Sequence, residues 1–298
     1  MSKPFRPLLA ATIENNEQLE SLAYPLYASP KIDGIRCITH LEHGPITRSS
    51  RPIRNNYIRE HLRHLSIHGI DGEIVSGPIA AQDVFNKTTT AVMTTDGTPD
   101  FMYHIFDTHL LDDLSYQTRL QTIENIACNS EHVRVHTYRV VKNPDEVLEA
   151  EMDWLAHGFE GVMLRHSKGR YKQGRSTLKE QILMKLKRFK DAEAEIVGFE
   201  PLYSNQNPQT RNSQGLAERS DHKAGKVQID TLGNLIVRDL SGRFSTFNVG
   251  SGFDQSLRSE IWNNRNGYLG RIITYKFQEV GILEAPRFPI FLRFREAE

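Results

Sequence analysis

A lysine, a carboxylate, a glycine and an arginine are packed into six residues of the run Ser29-Pro30-Lys31-Ile32-Asp33-Gly34-Ile35-Arg36. A lysine acts as a nucleophile only when it is neutral, and burial or neighbouring cations lower its pKa toward the working pH. Gly34 lets the backbone come close to a ligand, and Arg36 is suited to hold a phosphate. The run predicts chemistry centred on Lys31, although four residues at this spacing are a weak signal alone.

The flanking residues indicate how this lysine is positioned. An apolar lead-in precedes it, at Tyr24, Leu26, Tyr27 and Ala28, and an alternating run follows it, at Ile35, Cys37 and Ile38. Such flanks predict a strand, a tight turn and a second strand, with Lys31 at the mouth of the turn.

Further carboxylates and lysines occur downstream. Asp71 and Glu73 are two apart on a predicted strand, so they face the same side and could share a metal or a ribose hydroxyl, although D-G-E is more often a turn. Glu160 opens an apolar strand, where a carboxylate can reach a metal; otherwise it is a surface residue. Strand alternation places Lys185 and Lys187 on one face, although Lys-x-Lys also protects edge strands from aggregation.

Two stretches are equipped to bind phosphate. Residues 47–55 are rich in guanidinium and hydroxyl groups, and include Arg48. Between Lys168 and Lys190 there are nine lysines or arginines against one acid, Glu180, which makes a local basic stripe that contains Arg175. A solvated loop is the alternative for residues 47–55.

Five motifs in this order resemble the covalent nucleotidyltransferase superfamily of DNA ligases, RNA ligases and mRNA-capping enzymes, and the whole chain is similar to a minimal viral or phage ATP-dependent DNA ligase. The motifs are Lys31-Ile32-Asp33-Gly34, Asp71-Gly72-Glu73, Ile105-Phe106-Asp107, Glu160 to Arg165 and Leu183 to Lys187. Arg48 to Asn55, Gly174 to Glu180 and Pro286 to Pro289 also fit the resemblance.

The resemblance implies ATP as the nucleotide, Mg²⁺ as the metal ion with Mn²⁺ as a substitute, and nicked duplex DNA as the partner of a monomeric protein. It implies that Lys31 becomes adenylated and that Glu160 holds the metal ion. The remaining implied roles are Ser29 and Ile32 in the nucleotide pocket with Ser29 at the adenine edge, Arg36 and Glu73 on the ribose, Phe106 on the base, Lys185 and Lys187 on the phosphate, and Arg48 and Arg175 on the 5′-phosphate of the nick. Arg287 and Arg293 stay unassigned, because the R-x-D-K ending of larger ligases is missing.

Length and composition are compatible with this resemblance. A chain of 298 residues is long enough for two domains. With 37 basic and 37 acidic side chains, overall charge does not indicate a nucleic-acid binder. Cys37 and Cys128 cannot make a disulfide framework or a four-cysteine zinc site, and they suit a reducing cytoplasm. No signal peptide and no apolar run of 18 residues is present, so neither export nor a membrane span is expected.

The expected fold class is α+β, with a nucleotidyltransferase (adenylation) domain at residues 1–189 and an OB-fold β-barrel at 190–298. Residues 1–28 read as a polar lead-in, and the first domain has predicted helices at Tyr57–Leu65, Ser115–Asn129 and from Asn143 to about His157. Short strands around a helix at Gln255–Asn263 favour the barrel. Turns are predicted at Leu232–Asn234 and Asp239–Gly242. The polar segment 203–225 is either a DNA-clamping loop or a disordered insertion.

Two other functions stay open. An RNA ligase or an mRNA-capping guanylyltransferase has the same lysine chemistry. Only the sequence of Glu160 to Arg165 and the expected clamp weigh against these two functions. A non-catalytic OB-fold protein that binds nucleic acid has no reason to keep Lys31, Glu73, Glu160 and Lys185 together.

Overall fold

A computed structural model describes residues 5–64, 68–126, 130–187, 189–211, 217–220, 222–278 and 284–295. Contacts between Cα atoms divide these residues into two compact units, the first ending at residue 187 and the second beginning at Phe189. None of the described helices is long and apolar enough to cross a bilayer.

The first unit contains twelve strands and five helices among its described residues. The helices are α1 Asn16–Glu20, α2 Asn56–His64, α3 Val84–Met93, α4 Tyr116–Ile126 and α5 Pro144–Ala156. The strands are β1 Leu8–Leu9, β2 Ala11–Ile13, β3 Leu26–Pro30, β4 Ile35–His40, β5 Gly44–Thr47, β6 Ile70–Val75, β7 Met102–Thr108, β8 Val133–Val135, β9 Arg139–Val141, β10 Val162–His166, β11 Gly174–Arg175 and β12 Leu183–Leu186.

Two five-stranded sheets organise this unit. Sheet 1 has the order β2-β12-β10-β3-β9, and sheet 2 has the order β5-β4-β6-β7-β8. Each sheet has its own apolar core, since α5 packs Val147, Ala150 and Trp154 against sheet 1 while α2, α3 and α4 cover sheet 2. Strands β3 and β4 lie in different sheets, so the chain crosses from one sheet to the other at Lys31.

The three predicted helices of this unit are confirmed as α2, α4 and α5. Asn143 caps α5 as predicted, with its side-chain oxygen accepting from the Glu146 N–H at 2.9 Å and Pro144 in the first helical position. Predicted helix residues Leu65 and 127–129 lie outside the described residues.

The expected polar lead-in at residues 1–28 is wrong within the described residues. Strand β1 pairs in parallel with β11, and β2 pairs in parallel with β12. Leu8, Ala11 and Ile13 are buried. These strands have two and three residues, which is too short for an alternation to be read from the sequence.

In its described residues, the second unit is a barrel-like sheet with two α-helices. Its described strands are β13 Lys190–Asn205, β14 Gln209–Arg211, β15 Ala217–Arg219, β16 Lys226–Asp239, β17 Thr246–Val249, β18 Ile272–Gln278 and β19 Arg287–Phe294, and its helices are α6 Gln255–Asn263 and α7 Arg265–Tyr268. The main sheet has the order β17-β16-β13-β18-β19. A bridge from Ser251 to Ile290, just beyond β17, brings the two sheet edges together, as in an OB-fold.

The turn predicted at Leu232–Asn234 is wrong, because these residues lie inside β16. Pro201 stands opposite Leu232 and Glu200 opposite Asn234, which leaves Gly233 as the extra residue of a bulge. A Cβ on Gly233 would lie 2.3 Å from the Pro201 carbonyl oxygen. The glycine therefore permits a close approach of two strands, and not a reversal of the chain. Pro286 to Pro289, quoted with the motifs, leads into a strand, β19.

The described part of 203–225 forms a polar β-ribbon. Strand β13 continues to Asn205, which pairs with Lys226 at the start of β16, and β14 pairs with β15. Asn207 donates through Nδ2 to the carbonyls of Ser220 and His222 at 2.8 and 2.9 Å, and its own carbonyl accepts from Arg219 Nη1 at 2.6 Å. Hydrogen bonds from side-chain amides and guanidinium groups to backbone carbonyls therefore hold the ribbon together, in place of an apolar core.

Candidate active site

The backbone of Lys31 is fixed on both sides by the segment that leads into β10. The Lys31 N–H donates to the Gly161 carbonyl at 2.8 Å, and the Glu160 N–H donates to the Lys31 carbonyl at 3.2 Å. Gly161 has a φ of +145° and a Cβ there would lie 2.3 Å from the Leu186 carbonyl oxygen. A side chain at this position would therefore push apart the strands that carry the site.

Gly34 has a different role from the predicted one. A Cβ on Gly34 would lie 2.3 Å from the Ile74 carbonyl oxygen and 2.8 Å from the Glu73 side chain. The close approach is therefore to the backbone of β6, and no ligand is needed to explain this glycine.

The side chain of Glu160 is shared between two lysines. Its Oε2 is paired with Lys31 Nζ, and its Oε1 accepts from Lys187 Nζ at 2.7 Å. The Glu160 side chain is only 2% exposed. The structure therefore brings together the predicted nucleophile, the predicted metal ligand and one of the two predicted phosphate lysines.

This pairing reverses the expected pKa shift of Lys31. Burial lowers the pKa of Lys31, but the carboxylates of Glu160, Glu73 and Asp33 raise it more, so its pKa lies above its usual value. Burial raises the pKa of Glu160, yet the two lysines dominate and hold that pKa at about 2. The resting site therefore contains an ammonium ion and a carboxylate, and the expected lowering of the Lys31 pKa is wrong for this state.

A cavity of about 200 Å³ opens beside Lys31 within the first unit. Nine of the eleven predicted site residues line it, namely Ser29, Lys31, Ile32, Arg36, Arg48, Glu73, Phe106, Arg175 and Lys185. Glu160 and Lys187 are joined to this wall through Lys31.

On the sheet 2 side of the cavity, Arg36 stands opposite Glu73 in the pairing of β4 with β6. The guanidinium of Arg36 is held by buried Asp71, with Nε 2.8 Å from Oδ1, and Tyr171 donates to Asp71 Oδ2 at 2.8 Å. Asp71 is thus the buried counter-ion of Arg36. Burial raises the pKa of Glu73 to about 7, although Lys31 and Arg36 oppose the shift.

Phe106 presents an aromatic ring to the cavity, with two cations near it. The guanidinium carbons of Arg36 and Arg165 lie 5.5 and 5.3 Å from its centroid. Arg165 Nη1 donates to Asp107 Oδ2 at 2.6 Å, and Arg119 Nε donates to Asp107 Oδ1 at 2.7 Å. A fully buried carboxylate therefore anchors an arginine that supports the ring.

Arg48 and Arg175 link this cavity to a second groove, which is also lined by Phe5, Arg6 and Gly174. Arg175 Nη1 donates to the Ala10 carbonyl at 2.7 Å. Burial lowers the pKa of Lys185, and Lys31, Arg175 and Arg48 lower it further. Such a concentration of positive charge suits an anionic ligand.

Some lining residues were missed by the sequence analysis. His136 stands in the cavity wall, and Met163 and Arg165 were quoted within a motif without a role at the site. His136 follows a three-residue strand in a region without a motif. For Arg165, its place in the apolar β10 was an available signal, because a buried arginine requires a partner.

Comparison with known proteins adds independent support. Residues 7–187, more than half of the chain, match the family model of the ATP dependent DNA ligase domain. The chain belongs to the ATP-dependent DNA ligase family. Residues 224–295 match the DNA ligase OB-like domain. The predicted fold class, a nucleotidyltransferase domain followed by an OB-fold, is confirmed.

Individual relatives agree with this assignment. The crystal structure of Chlorella virus DNA ligase-adenylate is 36% identical, with a TM-score of 0.54, and the match covers 98% of this chain and 100% of that one. A Lig E DNA ligase with a TM-score of 0.68 is 24% identical over 96% of this chain and 98% of its own, and shows the shared fold alone. The DNA ligase of Enterobacteria phage T4 is 25% identical over 160 residues, which are 54% of this chain and 29% of the phage protein.

Proposed function

We propose that this protein is an ATP-dependent DNA ligase that seals nicks between a 3′-hydroxyl and a 5′-phosphate in duplex DNA through a lysyl-AMP intermediate. The observation that carries this proposal is the group of Lys31, Glu160 and Lys187 beside a cavity that also contains Glu73 and Phe106. A protein that only binds nucleic acid would gain nothing from two partly buried lysines on one buried carboxylate.

In the first step, Lys31 Nζ attacks the α-phosphorus of ATP, so a P–N bond forms and the bond to pyrophosphate breaks. AMP is then transferred to the 5′-phosphate of the nick, and the 3′-hydroxyl displaces it while the phosphodiester forms. Covalent catalysis replaces one difficult condensation by easier exchanges. Lys185 and Lys187 would neutralise the phosphates, and Arg48 and Arg175 would hold the 5′-phosphate of the nick.

The nucleotide would occupy the cavity with its base on Phe106 and its ribose near Arg36 and Glu73. Ser29 would lie at the adenine edge, with Ile32 in the same wall. The two cations near Phe106 are fixed by Asp71 and Asp107, which prepares the ring before the nucleotide binds.

Glu160 fits the expected magnesium ligand. Its oxygens belong to an ionised, almost fully buried carboxylate, and Mg²⁺ is commonly held by one or two carboxylates together with substrate phosphates. When bound, Mg²⁺ or Mn²⁺ supplies positive charge that neutralises phosphate and disfavours the ammonium form of Lys31. Lys31 has to lose its proton before it attacks.

The remaining predictions concern organisation. We propose an adenylation domain at 1–189 and an OB-fold domain at 190–298 whose segment 203–225 clamps DNA, in a monomeric cytoplasmic protein. Arg211 and Lys223 are exposed on this ribbon, which supports contact with phosphate.

Incubation with magnesium and α-labelled ATP or GTP tests the first step, because a lysyl-nucleotide survives denaturation and is labile to acid. Nicked DNA and nicked RNA are then offered to the adduct. Lys31→Ala should abolish the adduct and ordinary sealing, yet spare sealing of nicks that already carry AMP. Lys31→Arg should also fail because arginine stays protonated. Lys179→Ala, an exposed lysine outside the cavity, is the matched control.

An adduct on the Lys31→Ala protein would place the nucleophile elsewhere. Labelling by GTP in preference to ATP would favour a capping guanylyltransferase. Sealing of nicked RNA without nicked DNA would favour an RNA ligase.

A further inference from the structure

His136 directly follows β8, with its ring in the cavity wall and only 6% of its surface exposed. Its N–H donates to the Ile105 carbonyl at 2.8 Å, next to Phe106. Its Nε2 lies 2.7 Å from the carbonyl oxygen of Pro30, which immediately precedes the nucleophile. The imidazole therefore contacts the end of β3, where Ser29 and Pro30 lie, while the backbone of His136 is bonded to the residue before Phe106.

The contact with Pro30 fixes the tautomer of this histidine. A carbonyl oxygen only accepts hydrogen bonds, so Nε2 must carry the proton. Burial lowers the pKa of His136 to about 4, so the ring is neutral at physiological pH. Nδ1 is then a hydrogen-bond acceptor, and it has no hydrogen-bond partner among the described residues.

We propose that His136 Nδ1 accepts a hydrogen bond from the 6-amino group of adenine and thereby selects ATP over nucleotides without a donor at that position. This inference rests on the proposed function, since it requires the base to lie on Phe106. Adenine presents an amino donor at C6, whereas guanine presents a carbonyl acceptor there. Two acceptors facing each other would leave a buried nitrogen unpaired, which disfavours GTP.

The test compares ATP with purine riboside triphosphate, in which hydrogen replaces the 6-amino group. The measured quantity is kcat/KM for formation of the labelled adduct, and the ratio between the two nucleotides reports the contact. The wild-type protein should prefer ATP by about tenfold, the size expected for one hydrogen bond.

Two variants separate the two ring nitrogens. His136→Gln can keep a donor for Pro30 but places no acceptor at the position of Nδ1, so its preference for ATP should fall to nearly one. His136→Asn can place its amide oxygen near that position but loses the bond to Pro30. It should react more slowly with both nucleotides and keep the preference for ATP.

If His136 only supported the backbone at Pro30 and Lys31, both variants would slow the reaction with both nucleotides equally. That result would overturn the inference. A wild-type ratio near one would do the same without any variant, even if the variants fail to fold. If the variants fail to fold, ¹⁵N-histidine NMR of the wild-type protein is the second measurement. A resonance typical of an unprotonated Nδ1 should then shift with ATP and not with the purine analogue. Failure of every nucleotide to form an adduct would instead refute the proposed function.

Discussion

Asp107 is the residue whose replacement should destabilise the first unit most clearly. Its carboxylate has no exposed surface and is the counter-ion of two guanidinium groups, on Arg119 and Arg165. Arg119 is also fully buried, and its Nη1 donates to the carbonyls of Leu114 and Gly169 at 2.6 and 2.9 Å. Asp107→Asn keeps the shape but removes the charge, so two buried cations lose their counter-ion.

Removal of one partner from a buried ion pair costs about 3 to 5 kcal/mol. For a unit of this size, that loss lowers the midpoint of thermal unfolding by roughly 10 °C. The chain has two tryptophans, and Trp154 belongs to the first unit while Trp262 belongs to the second. Fluorescence of Trp154 in a Trp262→Phe background therefore follows unfolding of the first unit alone.

Asp153→Asn is the matched control. Asp153 also pairs with an arginine in the first unit, Arg139, but the two side chains are 46% and 43% exposed, and exposed pairs contribute little to stability. Its midpoint should not change. A loss of less than about 2 °C in Asp107→Asn would refute the reasoning, because it would mean that water or another group satisfies both guanidiniums.

Three further predictions concern the site and the ribbon. Alanine at Arg48 or Arg175 should leave adduct formation nearly intact and slow transfer of AMP to nicked DNA by roughly ten- to a hundredfold; equal slowing of both steps would place these arginines on the nucleotide. Glu73 has a pKa of about 7 in the folded protein against 4.5 ordinarily, so its burial favours the protonated form and stability is lost as the pH rises from 4.5 to 7. Glu73→Gln should therefore raise the free energy of unfolding at pH 8 by on the order of 2 kcal/mol and leave it unchanged at pH 4, as measured by urea unfolding, and an equal gain at both pH values would contradict this. Replacement of 203–225 by a short Gly-Ser link should leave adduct formation unchanged but weaken nick binding and flatten the slope of log affinity against log salt by up to about three units; unchanged affinity and slope would make the segment a passive insertion.

Much of the fold could be predicted from local patterns. The Asn-Pro-x-Glu start of α5 carries its own capping groups, so the beginning of this helix at Pro144 could be predicted from the sequence alone. Helix α3 was missed because Val84–Met93 contains three consecutive threonines and has no side-chain cap at Asp83. Val84, Thr88, Ala91 and Val92 form its buried face, so tertiary packing stabilises a segment of poor intrinsic helix propensity.

The members of the candidate site could be predicted from motifs, whereas their electrostatics could not. The spacing around Lys31 says nothing about which groups surround its Nζ in the folded chain. Glu160 is 129 residues away, and its proximity reverses the expected pKa shift. His136 was missed for a similar reason, because its contact with Pro30 spans 106 residues and depends on how the two sheets face each other.

The strand orders of the two sheets have a consequence for biosynthesis. Sheet 2 uses strands that lie between residues 35 and 135, so a nascent chain can pair them soon after they leave the ribosome. Sheet 1 needs β2, at Ala11–Ile13, to pair with β12, at Leu183–Leu186, and closure of so long a loop is slow. Lys187, which directly follows β12, therefore reaches Glu160 late, and a ribosome stalled before residue 183 would hold a folded sheet 2 without an assembled catalytic centre.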